Sequence, residues 1–68
     1  KARDLIRILR DMGFISVGQK GSHEMFEHPD GRTTEVAHHG DKQEIDRRLL
    51  KKILREIAMT SEEFMEWL

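Results

Sequence analysis

The sequence predicts an α+β fold in which helices cover one face of a three-stranded antiparallel sheet. Two segments, one near each end, carry apolar residues at helical spacing, and three short segments rich in β-branched and aromatic residues lie between them. A chain of 68 residues is long enough for one small core, so we expect a single domain over residues 1–68. The predicted order is α-β-β-β-α, followed by a short C-terminal helix.

The first predicted element is an amphipathic helix that begins near residue 2 and ends before Gly13. Gly13 follows the last apolar position, where a residue in the left-handed conformation commonly ends a helix. Residues 14–17 predict a strand, and residues 18–22, which contain two glycines, predict a loop. The apolar stripe of the helix consists of Ala2, Leu5, Ile8, Leu9 and Met12.

The second and third strands are predicted over residues 23–28 and 33–38, joined as a hairpin by the turn Pro29-Asp30-Gly31. Side chains alternate between the two faces of a strand. Phe26 should therefore face the helices, and His23, Met25 and Glu27 should lie on the helix-free face.

Residues 39–43 predict a polar loop, and two further helices follow it. The first has Asp46 as its N-cap, and the second begins with the capping-box sequence Thr60-Ser61-Glu62-Glu63. One face of the longer helix carries an apolar stripe: Leu49, Leu50, Ile53, Leu54 and Ile57.

Composition and charge limit the possible functions. The sequence has no cysteine, so disulfides and thiolate metal sites are excluded, and no apolar run is long enough to span a membrane. We therefore expect a cytoplasmic protein without a membrane partner. The net charge is −1, but residues 1–23 sum to +3 and residues 47–57 to +4. These two basic segments are compatible with a phosphate-bearing partner, although basic side chains also commonly coat exposed helix faces.

His23 is the strongest candidate for catalytic chemistry. An exposed imidazole can take or give a proton near neutral pH. The preceding residues Lys20, Gly21 and Ser22 offer a cation, an accessible backbone and a hydroxyl donor to a phosphate. Together they suit attack on an RNA phosphodiester, in which the histidine deprotonates a ribose 2′-hydroxyl or protonates the leaving oxygen. From these residues alone, a surface histidine beside an ordinary β-turn is the commoner arrangement.

Two other kinds of site are less compatible with the sequence. Four histidines are present, but strand alternation places His23 and His28 on opposite faces, and His38 and His39 on opposite faces. We therefore expect no metal site and no cofactor. A serine nucleophile at Ser22 is disfavoured because neighbouring strand residues point to opposite faces and no nucleophile-elbow sequence is present.

The chain resembles the HicA (YcfA-like) mRNA interferase toxins over essentially all of its length. The central motif consists of Gln19-Lys20-Gly21-Ser22-His23, Phe26 and His28-Pro29. The flanking motifs are Met12-Gly13-Phe14, Val36-Ala37-His38-His39, Leu49 with Ile53-Leu54, and Thr60-Ser61-Glu62-Glu63-Phe64. The chain departs from the family pattern at Glu24, at Ala37, where the family often has proline, and over residues 46–49.

The resemblance implies a double-stranded-RNA-binding-domain-like fold and a toxin that cleaves mRNA without a metal. His23 takes the place of the family's essential histidine, and a HicB-type antitoxin is the expected protein partner. In this hypothesis Lys20, Gly21 and Ser22 bind the scissile phosphate. Arg3, Arg7 and Arg10 supply electrostatic contacts to the RNA, unless they only coat the first helix.

Two alternatives from other functional classes remain at this stage. A non-catalytic module with the same fold would bind double-stranded RNA by shape through its basic helix faces. A regulator would act only through contacts with another protein.

Overall fold

The computed structural model describes residues 1–38 and 44–68, and it confirms the predicted α+β class and the double-stranded-RNA-binding-domain-like order. The predicted loop over residues 39–43 lies outside the described residues. The elements, in chain order, are α1 Ala2–Asp11, β1 Ile15–Lys20, β2 His23–Glu27, β3 Thr33–Ala37, α2 Arg47–Glu56 and α3 Ser61–Trp67.

The sheet has the strand order β1-β2-β3, and both pairs are antiparallel. A register shift between Ser16 and Gly18 places one extra residue in β1, as in a β-bulge. Beyond the bulge, β1 continues to Lys20, which pairs with His23. With the extra residue accommodated by the bulge, β1 stays paired with β2 as far as His23, the first residue of β2.

The predicted loop over residues 18–22 is wrong in its extent. Gly18 to Lys20 belong to β1, and only Gly21 and Ser22 form the turn. Gly21 has a φ of +60° at the first central position, which a two-residue hairpin turn of type II′ requires. The two glycines suggested that the strand ends before residue 18, but Gly18 pairs with Met25 of β2 and stays in the ladder at the bulge.

The core lies between the inner face of the sheet and the helices. Phe26 and Val36 supply the sheet side, and both are almost completely buried. Helix α1 contributes four residues of its predicted apolar stripe, and the fifth, Met12, follows the helix and is partly buried. Helix α2 contributes two residues and the segment after it two more. The buried apolar residues are Ala2, Leu5, Ile8, Leu9, Phe14, Phe26, Val36, Ile53, Leu54, Ile57 and Met59.

Both predicted caps of the C-terminal helices are confirmed. The Asp46 carboxylate accepts a hydrogen bond from the Arg48 N–H at 2.8 Å. The Thr60 hydroxyl accepts from the Glu63 N–H, and the Glu63 side chain accepts from the Thr60 N–H. Each cap satisfies a backbone donor that has no partner within the first turn of its helix.

The predicted hairpin between β2 and β3 is confirmed, and His28 ties its turn to the end of α1. Its Nε2–H donates to the Met12 carbonyl at 3.0 Å, and its Nδ1 accepts from the Asp30 N–H at 3.1 Å. Gly31 completes the turn with a φ of +99°. His28 thus serves the fold, with both ring nitrogens bonded to backbone groups.

In the described part of the chain, no helix combines the length and the apolar character that crossing a membrane requires.

Candidate functional site

His23 is the first residue of β2 and lies on the helix-free face of the sheet, called here the outer face. Phe26 on the same strand is buried against the helices, so alternation directs His23 and Met25 outwards. The predicted sidedness is therefore confirmed. The His23 side chain is 53% exposed, which makes the imidazole accessible to a macromolecular substrate.

The ring of His23 lines an open cleft of about 500 Å³ on the outer face. Its walls come from all three strands and from the turn that joins the first two. The lining residues are Lys20, Gly21, His23, Met25 and Glu35. The cleft therefore combines an imidazole, a cation, a carboxylate and a glycine backbone around one space.

Lys20 and Gly21 lie with His23 as the sequence predicted, but Ser22 does not. Lys20 is exposed and sits directly opposite His23 across the β1–β2 ladder. Ser22 is half-buried and is absent from the cleft lining; its carbonyl accepts a hydrogen bond from the His38 N–H at 2.7 Å. The backbone at Ser22 thus extends the β2–β3 ladder.

A hydrogen bond links His23 to the neighbouring strand. The Nδ1 atom of His23 contacts the Oε1 atom of Glu35 in β3. An ionised carboxylate only accepts hydrogen bonds, so the Nδ1–H of His23 is the donor. Among residues 1–38 and 44–68, the other ring nitrogen, Nε2, has no hydrogen-bond partner.

The three arginines of α1 lie apart from this cleft. Helix α1 covers the inner face, and Arg3, Arg7 and Arg10 line a separate shallow cleft of about 160 Å³ together with Ile6. Arg7 also pairs with Asp11, at 3.3 Å between exposed side chains. The structure therefore does not bring these arginines together with His23.

Glu24 follows His23 in sequence but points to the inner face. Its carboxylate accepts from the Ser16 hydroxyl at 2.7 Å and from the Nε2–H of His38 at 3.3 Å. His38 is buried, and its Nδ1 has no partner within the described residues. The acidic residue that departs from the family pattern is thus turned away from the cleft.

The described residues contain no cluster of three or more His, Asp or Glu side chains that could hold a metal ion. His23 and His28 were predicted to lie on opposite faces, and they contact different parts of the molecule. His23 lies in the outer cleft, and His28 bonds to the backbone of the β2–β3 turn and of α1.

Two features of the outer face were not predicted from the sequence. One is the contact between Glu35 and His23, which depends on the register that pairs Met25 with Glu35. The other is its apolar character, since Ile15 is 61% and Met25 39% exposed. Alternation alone assigned faces within β2, but the partners across the ladder required the strand register.

Comparisons with known proteins agree with this architecture. The family model described as the HicA toxin of bacterial toxin–antitoxin systems matches residues 2–59, which include α1, the whole sheet and α2. None of the curated proteins shows significant similarity to the chain. The matched segment contains the outer cleft and covers most of the 68 residues. This chain belongs to the HicA family of toxins from bacterial toxin–antitoxin systems.

Proposed function

We propose that the protein is a metal-independent endoribonuclease toxin that cleaves mRNA, with His23 as its catalytic residue. The observation that supports this most directly is the position of the His23 ring. It is half-exposed in an open cleft on the helix-free face, directly opposite Lys20. An extended polynucleotide can reach this face without any rearrangement of the helices. Because mRNA is the substrate, the site of action is the cytoplasm.

The proposed reaction is a transesterification within the RNA. The Nε2 atom of His23 takes the proton of a ribose 2′-hydroxyl, and the 2′-oxygen forms a bond to the adjacent phosphorus. The bond between phosphorus and the 5′-oxygen then breaks, and the leaving oxygen takes a proton from the imidazolium or from water. The products are a 2′,3′-cyclic phosphate and a 5′-hydroxyl.

Lys20 and the backbone at Gly21 are the proposed phosphate ligands. Lys20 lines the cleft, and its ammonium is a compact charge on a flexible stem, which suits a phosphate oxygen. We propose no phosphate contact for Ser22, because this residue does not line the cleft.

The direct test compares wild type with His23→Ala and His23→Gln in cell growth and in RNA cleavage by the purified protein. We expect growth arrest and cleavage from wild type and neither from the variants. RNA carrying 2′-deoxyribose at the scissile position should bind without being cut. Folding of the variants is checked by circular dichroism. The assignment of His23 is wrong if a folded variant still cleaves RNA and arrests growth.

The proposed partner is a HicB-type antitoxin that covers the outer face. Exposed apolar side chains on a sheet face favour burial by another protein, and Ile15 and Met25 provide them here. A partner seated on this face would also block access to His23.

The docking face can be tested with two charge insertions. Ile15→Asp places a charge on the outer face, whereas Met65→Asp alters a residue of α3 that is equally exposed, at 66% against 61%. We expect Ile15→Asp to weaken binding of the cognate HicB-type antitoxin at least tenfold, and Met65→Asp to leave it unchanged. Equal affinity of both variants would exclude the outer face as the docking surface.

A second candidate function is favoured by α2, whose basic side chains are all exposed: Arg47, Arg48, Lys51, Lys52 and Arg55. They would suit a non-catalytic module that binds duplex RNA through the phosphates. Filter binding together with gel analysis of the RNA separates the two functions: tight duplex binding without cleavage supports the module, and cleavage of single-stranded RNA supports the nuclease.

A further inference from the structure

The carboxylate of Glu35 lies beside His23 because of the β2–β3 register. His23 pairs with Ala37, and the next outward-facing pair is Met25 with Glu35. Glu35 is therefore the diagonal neighbour of His23 on the outer face, within reach of a long side chain. Both side chains are about half-exposed, at 53% and 44%. The contact thus joins two accessible groups in one cleft.

This contact decides which nitrogen of His23 faces a substrate. Glu35 accepts the Nδ1–H, so in the neutral ring the Nε2 atom carries the lone pair. A base that acts through Nε2 needs this tautomer and a fixed ring plane. A carboxylate on the opposite ring nitrogen supplies both in other histidine-based catalytic sites.

We propose that Glu35 is the positioning residue of His23, holding the tautomer in which Nε2 accepts the proton of the ribose 2′-hydroxyl. This inference rests on the proposed ribonuclease function. Glu35 acts through His23 and touches no reacting atom.

Two simpler roles for Glu35 make different predictions. An exposed ion pair that only stabilises the fold contributes little, so its loss would leave the cleavage rate of the folded protein unchanged. A carboxylate that only repels RNA would, when removed, tighten binding and leave the rate at saturating RNA unchanged. Positioning predicts that the rate at saturating RNA falls while RNA affinity stays constant or improves.

The chain offers a matched control on the same face. Glu27 is also an exposed glutamate of the outer face, but it pairs with Ile15 and Thr33 at the other end of β2 and does not line the cleft. Glu27→Ala removes the same charge from the same face. An effect seen in the Glu35 variants but not in Glu27→Ala therefore does not come from the loss of a negative charge on this face in general.

The kinetic experiment measures single-turnover cleavage at saturating RNA for wild type, Glu35→Ala, Glu35→Gln and Glu27→Ala. We expect Glu35→Ala to lower the rate roughly tenfold to a hundredfold. Glu35→Gln should lose less, because its amide oxygen still accepts from Nδ1–H, and Glu27→Ala should stay within about twofold of wild type. Affinity for 2′-deoxy RNA should not fall in either Glu35 variant. An unchanged or faster rate in folded Glu35→Ala overturns the proposal.

A spectroscopic experiment tests the pair without RNA. In ¹⁵N spectra of the neutral ring, wild type should show protonated Nδ1 at His23, and Glu35→Ala should move the proton towards Nε2. Protonated Nε2 in wild type would also overturn the proposal. If His23→Ala cleaves RNA as well as wild type, the proposed function fails instead, and the ¹⁵N spectra still decide whether Glu35 sets the tautomer.

Discussion

Single residues fix the junction between α1 and the β2–β3 turn. Gly13 has a φ of +104°, and a Cβ atom built on it would lie 3.1 Å from the Nε2 atom of His28. That nitrogen donates to the Met12 carbonyl. A side chain at position 13 would therefore adopt an unfavourable backbone conformation and would crowd the His28 ring, which is held by its hydrogen bond to Met12.

Gly13→Ala should lower the free energy of unfolding by about 1–3 kcal/mol, as measured by urea denaturation. Gly31→Ala is the matched control, because Gly31 has a similar φ of +99° but no atom within 4 Å of its built Cβ. We expect Gly31→Ala to cost less, since it carries backbone strain alone. Equal losses in the two variants would show that the contact with His28 has no energetic effect.

Asp30 links stability to pH at the residue scale. The Arg32 N–H donates to its carboxylate at 3.0 Å and the Arg32 side chain at 2.7 Å. These bonds, the backbone one first, hold the pKa of Asp30 below its ordinary value. A lowered folded-state pKa contributes stability at pH values above the unfolded pKa, and this contribution is lost as the pH falls through the folded pKa.

Asp30→Asn should therefore be less stable than wild type at pH 7, and the difference should shrink below roughly pH 4. Urea midpoints of both proteins at pH 7 and at pH 3 measure it. A difference of the same size at both pH values would contradict an electrostatic origin.

At the scale of elements, the helices gain their stability from different sources. Helix α1 buries four apolar residues, α2 buries Ile53 and Leu54, and α3 buries no residue completely. Helix α3 depends on its capping box and on Phe64, which is partly buried against the core. Since α2 is anchored in the core, a defect at its N-cap should affect the whole domain.

Asp46→Ala should cost about 0.5–2 kcal/mol of unfolding free energy, because the Arg48 N–H loses its acceptor. Asp46→Asn is the control, since asparagine caps helices about as well as aspartate. Urea denaturation of the two variants provides the comparison. Equal destabilisation by both would mean that charge at position 46, and not the capping bond, matters.

At the scale of the whole molecule, the sheet separates two surfaces. The outer face carries Lys20 and His23, and the arginines of α1 line a cleft on the helix side. One RNA contacts both only if it is long enough to pass around the sheet. The prediction that Arg3, Arg7 and Arg10 bind RNA thus depends on RNA length.

Salt dependence of binding tests this separation. Lys20→Gln should reduce the slope of log affinity against log salt by about 0.7 for both short and long single-stranded RNA. Arg3→Gln combined with Arg10→Gln should reduce the slope for long RNA only. If the double arginine variant leaves the slope for long RNA unchanged, these arginines serve only as helix surface.

Most of the fold could be predicted from local patterns. Apolar periodicity predicted α1 and α2, Asp46 and the capping box at Thr60 predicted the starts of α2 and α3, and alternation placed Phe26 inside and His23 outside. The extent of the first loop could not be predicted, because two glycines in a segment do not show that a strand continues through a bulge.

What the amino-acid sequence determines here is local: which residues face the core, where helices begin, and that His23 is exposed beside Lys20. Side-chain contacts across the ladder are set by register and sheet packing, which join His23 to Glu35, 12 positions away, and Glu24 to His38, 14 positions away. Only the tertiary structure therefore decided that Glu35 meets His23, that Glu24 turns inward to His38, and that the α1 arginines lie apart from the cleft.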